Sequence, residues 1–328
     1  MTNFPGGPGE ARDAGEVSSP VEANTTRVVV HVAGPGLATP KVVDPDAPLL
    51  LADDLGAVRG DGCFDSLLLH RGRALKPLRH LARIARSARM LEIDPPGEQA
   101  WTAGIEAAEA EWVRIHGGDA ASAPDALLRL VLTRGAEHAA GRAEDATAYI
   151  TVAAIGGHVA KVRRKGIAVQ VQQRGFSVDL AANAPWQLLG AKTLSYATNM
   201  AALRHAAADG FGDVLFLSSE GEVLEGPRST IVAVRDGALL SPPQEIGILE
   251  GTTLGALGEA AQRRGIPLRR EHLLVSDLLV ADSVWFISSI TLAARVMRID
   301  SHEIGGRDAG IDVGALVAEA VGVENWPG

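Results

Sequence analysis

Between residues 166 and 299 the apolar runs follow one another too closely for a helix to fit between every pair. Ile167 to Val171, Asp213 to Leu217, Val223-Leu224, Ile231 to Val234, Val284 to Ile287 and Arg295 to Ile299 are short and rich in β-branched residues, which reads as strand. Turns stand at Ser219-Glu220-Gly221 and Arg235-Asp236-Gly237. Only two long helical patterns interrupt them, 197–208 and Gly251 to Arg264, the second stopped by Gly265 and Pro267. A helix follows near 311–321. Parallel neighbours need a crossover of a dozen residues or more, so strands that outnumber crossovers exclude a doubly wound sheet. The expectation is a mixed, barrel-like sheet.

The first half reads differently. Val28 to Val32 is a strand, and Leu49-Leu50-Leu51 is a short extended piece. Phe64 to Leu69 ends at His70-Arg71-Gly72-Arg73, and Arg73-Ala74-Leu75 returns as the second arm of a hairpin. Pro77 opens a helix at a favourable first-turn position, and Leu78, Leu81, Ile84, Ala85, Ala88 and Leu91 recur at helical spacing. A second helix covers 98–116, and strands cover Leu127 to Leu132 and Ala148 to Ala154. The fold class expected is a two-domain α+β or α/β protein. A disordered tail of 1–25 rich in Gly and Pro precedes a small α/β domain of 26–155. A connection at 156–165 carrying Lys161, Arg163, Arg164 and Lys165 leads to a larger mixed-sheet domain of 166–328.

Composition narrows the partners. Aromatic residues make up only 4% of the chain, so the core must be built from Ala, Leu, Val and Ile. A net charge of −9 argues against a nucleic-acid surface or an anionic membrane, while leaving room for a small anionic ligand held by local cations. The single cysteine, Cys63, rules out an intrachain disulfide and a cysteine-based zinc site, and fits a cytoplasmic location. No stretch has the length of a transmembrane helix. Dinucleotide, Walker, zinc-protease and nucleophile-elbow motifs are all missing.

Lys192 lies between the apolar Trp186, Leu188 and Leu189 and a helix containing Met200 and Leu203. Desolvation there disfavours an ammonium ion, and a neutral amine can add to a carbonyl cofactor. On local composition alone the stronger reading is a surface lysine just before a helix, because charged residues are mostly exposed. Arg83 is one of three arginines, with Arg79 and Arg86, on one helix face. Gly251-Thr252-Thr253 places free N–H groups and hydroxyls at a helix start, as an anion cradle or as a simple cap. Ser288-Ser289 follow an apolar strand, as turn residues or as ligand donors. Glu225 and Arg134 each end a strand. A lysine nucleophile, a carboxylate and helix-start phosphate donors together are the parts of a pyridoxal-phosphate site.

At this point the chain resembles the fold-type-IV pyridoxal-phosphate enzymes. These comprise branched-chain and D-amino-acid aminotransferases and 4-amino-4-deoxychorismate lyases. The motifs stand in the family's order: Arg59-Gly60-Asp61-Gly62-Cys63-Phe64, His80-Leu81-Ala82-Arg83, Arg134-Gly135, Lys192-Thr193-Leu194-Ser195, Leu224-Glu225-Gly226-Pro227-Arg228-Ser229-Thr230-Ile231 and Leu249-Glu250-Gly251-Thr252-Thr253. The resemblance implies that Lys192 forms the Schiff base with pyridoxal 5'-phosphate and acts as the proton-transfer base. It implies that Glu225 pairs with the ring nitrogen, and that Arg83, Thr252, Thr253 and Ser289 hold the phosphate. Arg134 and Ser66 become candidates for the substrate, a small molecule with an amine and a carboxylate. Branched-chain enzymes carry a tyrosine five residues after the lysine, for the phenolic oxygen; here that position is Ala197 and the tyrosine is Tyr196. Phe64-Asp65-Ser66 stands where aminotransferases often have Phe-Glu-Gly or Phe-Glu-Thr. These features are closest to the aminodeoxychorismate lyase branch. The implied activity is formation of 4-aminobenzoate and pyruvate for folate synthesis. The alternative is transamination of D-amino acids or branched-chain amino acids. The family also implies a homodimer.

Overall fold

The computed structural model describes residues 26–34, 36–138, 145–305 and 310–324; the expected tail of 1–25 lies outside them. The first half forms a six-stranded antiparallel sheet. Its strands are β1 (Arg27–Ala33), β2 (Lys41–Val43), β3 (Gly62–His70), β4 (Arg73–Ala74), β5 (Ala126–Thr133) and β6 (Thr147–Ala154), in the order β2-β1-β6-β5-β3-β4. Helices α1 (Leu55–Val58), α2 (Pro77–Met90) and α3 (Glu98–Ile115) accompany it. Leu67, Leu69, Leu128, Leu130, Ile84, Trp101 and Trp112 pack together between sheet and helices. Leu68 and Leu127 point to the opposite face and join the core of the second half. The central strands β3 and β5 are therefore covered on both sides, which explains their near-continuous apolar runs.

The second half begins with α4 (Gly157–Lys165). A path of seven strands then runs β11-β10-β9-β12-β13-β7-β8, with β14 paired to β13. These strands are β7 (Ile167–Gln173), β8 (Asp213–Leu217), β9 (Thr230–Arg235), β10 (Ala238–Ser241), β11 (Leu268–Arg270), β12 (Ser283–Ser288), β13 (Leu292–Ile299) and β14 (His302–Glu303). Both parallel and antiparallel pairs occur, as expected of a mixed sheet: β13 and β8 flank β7 in parallel, and β9 and β13 flank β12 antiparallel. The helices are α5 (Leu180–Asn183), α6 (Ala197–Ala208), α7 (Thr252–Arg263), α8 (Val275–Leu279) and α9 (Val313–Val321). The apolar faces of α7 and α9 (Leu254, Leu257, Leu316, Val317) pack on β9, β12 and β13 through Val232, Ile287 and Ala293.

Two expectations are corrected, and a third gains detail. The connection at 156–165 is helical over Gly157–Lys165. Val159 and Val162 stand at helical spacing, Arg163, Arg164 and Lys165 suit the negative end of the dipole, and Gly166 closes it at φ 72°. Leu49 to Leu51 forms no strand; the short strand sits earlier, at Lys41–Val43, where it pairs with β1. Val223-Leu224 makes a single bridge to Leu217, with the Leu224 N–H donating to the Phe216 carbonyl at 2.9 Å.

Candidate active site

The lysine segment is fastened to β3. Phe64 N–H donates to the Lys192 carbonyl at 3.0 Å, Leu194 N–H donates to the Gly62 carbonyl at 2.8 Å, and Cys63 and Thr193 bridge between them. Helix α2 adds a third point, because Ser87 Oγ accepts from the Lys192 N–H at 3.1 Å. Lys192 Nζ then lies over two rings, 4.6 Å from the centre of Phe64 and 5.5 Å from that of Tyr196. The two rings meet edge to face at 5.3 Å. The backbone is thus fixed and the amine rests against aromatic faces.

One stripe of α2 serves two ends of the site. His80, Arg83 and Ser87 stand three and four residues apart, on its buried face. His80 Nδ1 is 2.7 Å from Asp65 Oδ1, and Arg83 binds the same carboxylate through Nε and Nη2 at 2.8 and 2.7 Å. Asp65 is fully buried; against the desolvation, the Arg83 and His80 partners hold its carboxyl well below the usual carboxylate range. Arg83 Nη1 also donates to the Glu250 carbonyl at 3.2 Å. A guanidinium has five N–H donors, so Arg83 keeps donors for the cavity it lines. The neighbouring arginines do not join the site: Arg79 pairs with Glu259 at 2.5 Å, and Arg86 pairs with Glu250.

The second sheet supplies the facing wall. Glu225 follows β8's partner segment and accepts from the Leu249 N–H at 3.2 Å. Burial pushes its carboxyl up to about 7, while that N–H and the charges of Lys192, Arg174 and Arg83 pull it down. Thr252 and Thr253 open α7, whose start carries no side-chain cap, so its first N–H groups stay unclaimed by capping side chains. Gly251 is required just before it, since a Cβ there would stand 2.5 Å from Thr230 Oγ1. Thr252 Oγ1 lies 3.3 Å from Ser289 Oγ, which joins the helix start to the turn after β12.

Between these walls lies one cavity of about 930 Å³. That is near the upper end for small-molecule sites, with room for a cofactor and a substrate together. Lys192, Arg83, Glu225, Thr252, Thr253 and Ser289 line it, as do Tyr196 and Ser66. Tyr196 donates its hydroxyl proton to the Pro227 carbonyl, which also accepts from Asn199 Nδ2 at 2.9 Å. Arg134 is placed elsewhere. It does not line the cavity, and its guanidinium is engaged by Asp61 (2.6 and 3.3 Å) and by the carbonyls of Leu91 and Glu92. Arg129, in the middle of β5, does line the cavity, as do Arg59, Arg83, Arg174, Arg204 and Arg228. The Arg129 Nε is buried without a partner, its charge sits 5.7 Å from the Phe64 ring centre, and burial holds its guanidinium below the usual arginine value. The signal available in the sequence was a lone arginine inside the apolar run Leu127 to Leu132.

Among the described residues no group of His, Cys, Asp and Glu could hold a metal ion. Nor is any helix there long and apolar enough to cross a membrane. An amine, a buried carboxyl and an uncapped helix start on one cavity suit the aldehyde, ring and phosphate of pyridoxal phosphate. Residues 62–299 match the family described as amino-transferase class IV.

The chain belongs to that family.

It is similar to the bifunctional aminodeoxychorismate lyase / D-amino acid transaminase of Mycobacterium tuberculosis (strain ATCC 25618 / H37Rv), with 43% identity over 80% of this chain and 90% of the relative. A solved hypothetical aminotransferase from Mycobacterium tuberculosis, in its PLP-bound form, is 40% identical, with a TM-score of 0.82 over 90% of this chain and 99% of its own. A further form of that aminotransferase, bound to α-ketoglutarate and PMP, superposes with the same TM-score of 0.82 and 40% identity, over 90% of this chain and 98% of its own. The class-IV protein described above is a pyridoxal-phosphate-dependent enzyme with the fold-type-IV architecture, and its reaction is that of a lyase or an aminotransferase.

Proposed function

We propose that this class-IV enzyme is a 4-amino-4-deoxychorismate lyase, releasing 4-aminobenzoate and pyruvate. The observation that carries the reading is the grouping of Arg129, Ser66 and Lys192 on one wall of the cavity. They offer a cation for a carboxylate, a hydroxyl for a leaving group and an amine for proton transfer. The similar bifunctional enzyme of Mycobacterium tuberculosis supports it.

In this reading Arg83, Thr252, Thr253 and Ser289 hold the cofactor's phosphate with charge-assisted hydrogen bonds and helix-start N–H groups. Glu225 would pair with the ring nitrogen, whose positive charge would stabilise the ionised carboxylate. Bound pyridoxal phosphate supplies an aldehyde carbon for the substrate's amine and a protonated ring that withdraws electrons. Lys192 Nζ is the attachment point, and once displaced it takes the proton from the substrate carbon that bears the amine. Arg129 fixes the ring carboxylate. The ring C–O bond would break with its electron pair going to oxygen, and enolpyruvate would depart; the Ser66 hydroxyl would pass a proton to its methylene carbon and regain the one Lys192 had taken, giving pyruvate. The ring becomes aromatic, which drives the step. Leu127, Leu249 and Phe286 line the chamber and limit water. Tyr196 orients the wall beside Lys192 through its bond to Pro227. The working form is a homodimer in the cytoplasm.

The test is to supply the holoenzyme with aminodeoxychorismate and no keto-acid acceptor. Appearance of 4-aminobenzoate is the expected result, and its absence sinks the reading. Transamination of D-amino acids is the second reading, favoured by the transaminase half of the similar bifunctional enzyme. Stoichiometric pyridoxamine phosphate formed from D-alanine would establish that half-reaction in this chain.

A further inference from the structure

The basic run at the end of α4 has no part in the chemistry above, yet one of its members reaches the site's frame. Arg163 Nε donates to the Thr291 carbonyl at 3.0 Å, and Nη2 donates to the Ile290 carbonyl at 2.7 Å. These carbonyls belong to the tight turn that joins β12 to β13 and carries Ser289. The turn is under backbone strain, because Leu292 is buried and left-handed at φ 64°. Within the turn, Thr291 N–H donates to Ser288 Oγ at 3.2 Å. Asp125, just before β5, acts on the Arg163 charge and is itself 2.7 Å from His70 Nδ1. Arg163 therefore joins the first sheet, the connecting helix and the turn. Neighbouring Arg164 and Lys165 are exposed.

We propose that Arg163 is a positioning residue for phosphate recognition: its forked hold on the Ile290 and Thr291 carbonyls sets Ser289 at hydrogen-bonding distance from Thr252. A planar guanidinium holds two adjacent carbonyls through a rigid fork, which the single rotating ammonium of a lysine does not offer. Without it the strained turn relaxes, Ser289 leaves Thr252, and the cradle loses a donor while Lys192 and Glu225 stay in place. The proposal rests on the reading of Thr252 and Ser289 as phosphate ligands.

The experiment compares pyridoxal 5'-phosphate with pyridoxal, which lacks the phosphate, as ligands of the full chain. Binding is followed by the visible absorption band, and the phosphate environment by ³¹P NMR of the holoenzyme. Arg163→Met is expected to weaken pyridoxal phosphate by about tenfold, the size of one net charge-assisted hydrogen bond, and to shift the ³¹P resonance. Pyridoxal should bind as in the wild type. Arg163→Lys should fall between the two, and it carries the comparison if the Met variant does not fold. Arg164→Met should match the wild type. Equal weakening of both ligands, or no change in either, overturns the proposal. Thr252→Ala separates the underlying reading: if it leaves the preference for the phosphorylated ligand intact, the phosphate does not sit in this cradle. If it lowers that preference while Arg163→Met does not, only the role of Arg163 fails.

Discussion

Ser66 and Arg129 stand directly opposite one another across β3 and β5, and both line the cavity that holds the Lys192 amine. The register puts a hydroxyl beside a guanidinium whose Nε has no hydrogen-bond partner. Arg129→Met should lower kcat/KM for carboxylate-bearing substrates by roughly 10- to 100-fold, the worth of hydrogen bonds to a charged group. The cofactor's absorption spectrum should not change. A variant with unaltered kcat/KM would remove Arg129 from substrate binding.

Ser66→Ala separates the two reactions. Loss of a positioned proton donor costs on the order of 100-fold, so release of 4-aminobenzoate should fall by that much. Formation of pyridoxamine phosphate from D-alanine does not need a proton on a leaving group and should stay within about twofold. Equal effects on both would show that Ser66 shapes the site without donating a proton.

Glu225 makes the cofactor-free protein sensitive to pH. Its carboxyl rises from 4.5 in the open chain to about 7 in the fold, so the fold resists its ionisation. Below 4.5 both states are protonated and no penalty exists; as pH climbs from 4.5 to about 7, stability is lost, and above 7 the loss is constant. The full shift corresponds to roughly 3 kcal/mol as an upper limit. Cofactor-free Glu225→Gln should therefore gain on the wild type between pH 5 and 8 in urea unfolding. A difference independent of pH would show that Glu225 ionises freely in the empty site.

Asp65 behaves in the opposite sense. Its carboxyl is held below the open-chain value of 3.8, so its contribution is full above that pH and is lost as pH falls through the folded value. Asp65→Asn leaves Arg83 buried without its counter-ion, which costs about 3–5 kcal/mol in comparable pairs. Urea unfolding at pH 7 measures this, and pyridoxal phosphate affinity should fall with it. Wild-type affinity in a destabilised variant would disconnect Asp65 from phosphate binding.

Much of the site was legible in the chain because its parts lie in local patterns. The α2 stripe, the Gly251-Thr252-Thr253 helix start and the Lys192 helix entry are set by residues within a turn or two of each other. What escaped was decided at a distance. β2 and β11 are edge strands of three residues, defined by their partners β1 and β10. Arg134 ends its strand as expected, but Asp61 and two carbonyls from the end of α2 turn it away from the cavity. Arg129 was hidden by its apolar neighbours, since only the cross-strand register shows which face of β5 it occupies. α4 was obscured by its basic residues, whose role depends on a turn more than a hundred positions away.

Finally, the backbone at Lys192 is anchored to β3, which precedes it, whereas Glu225, Thr252 and Ser289 all come later in the chain. In a chain made from its N-terminus, the lysine segment and the strand that fastens it are both complete before the facing wall is synthesised.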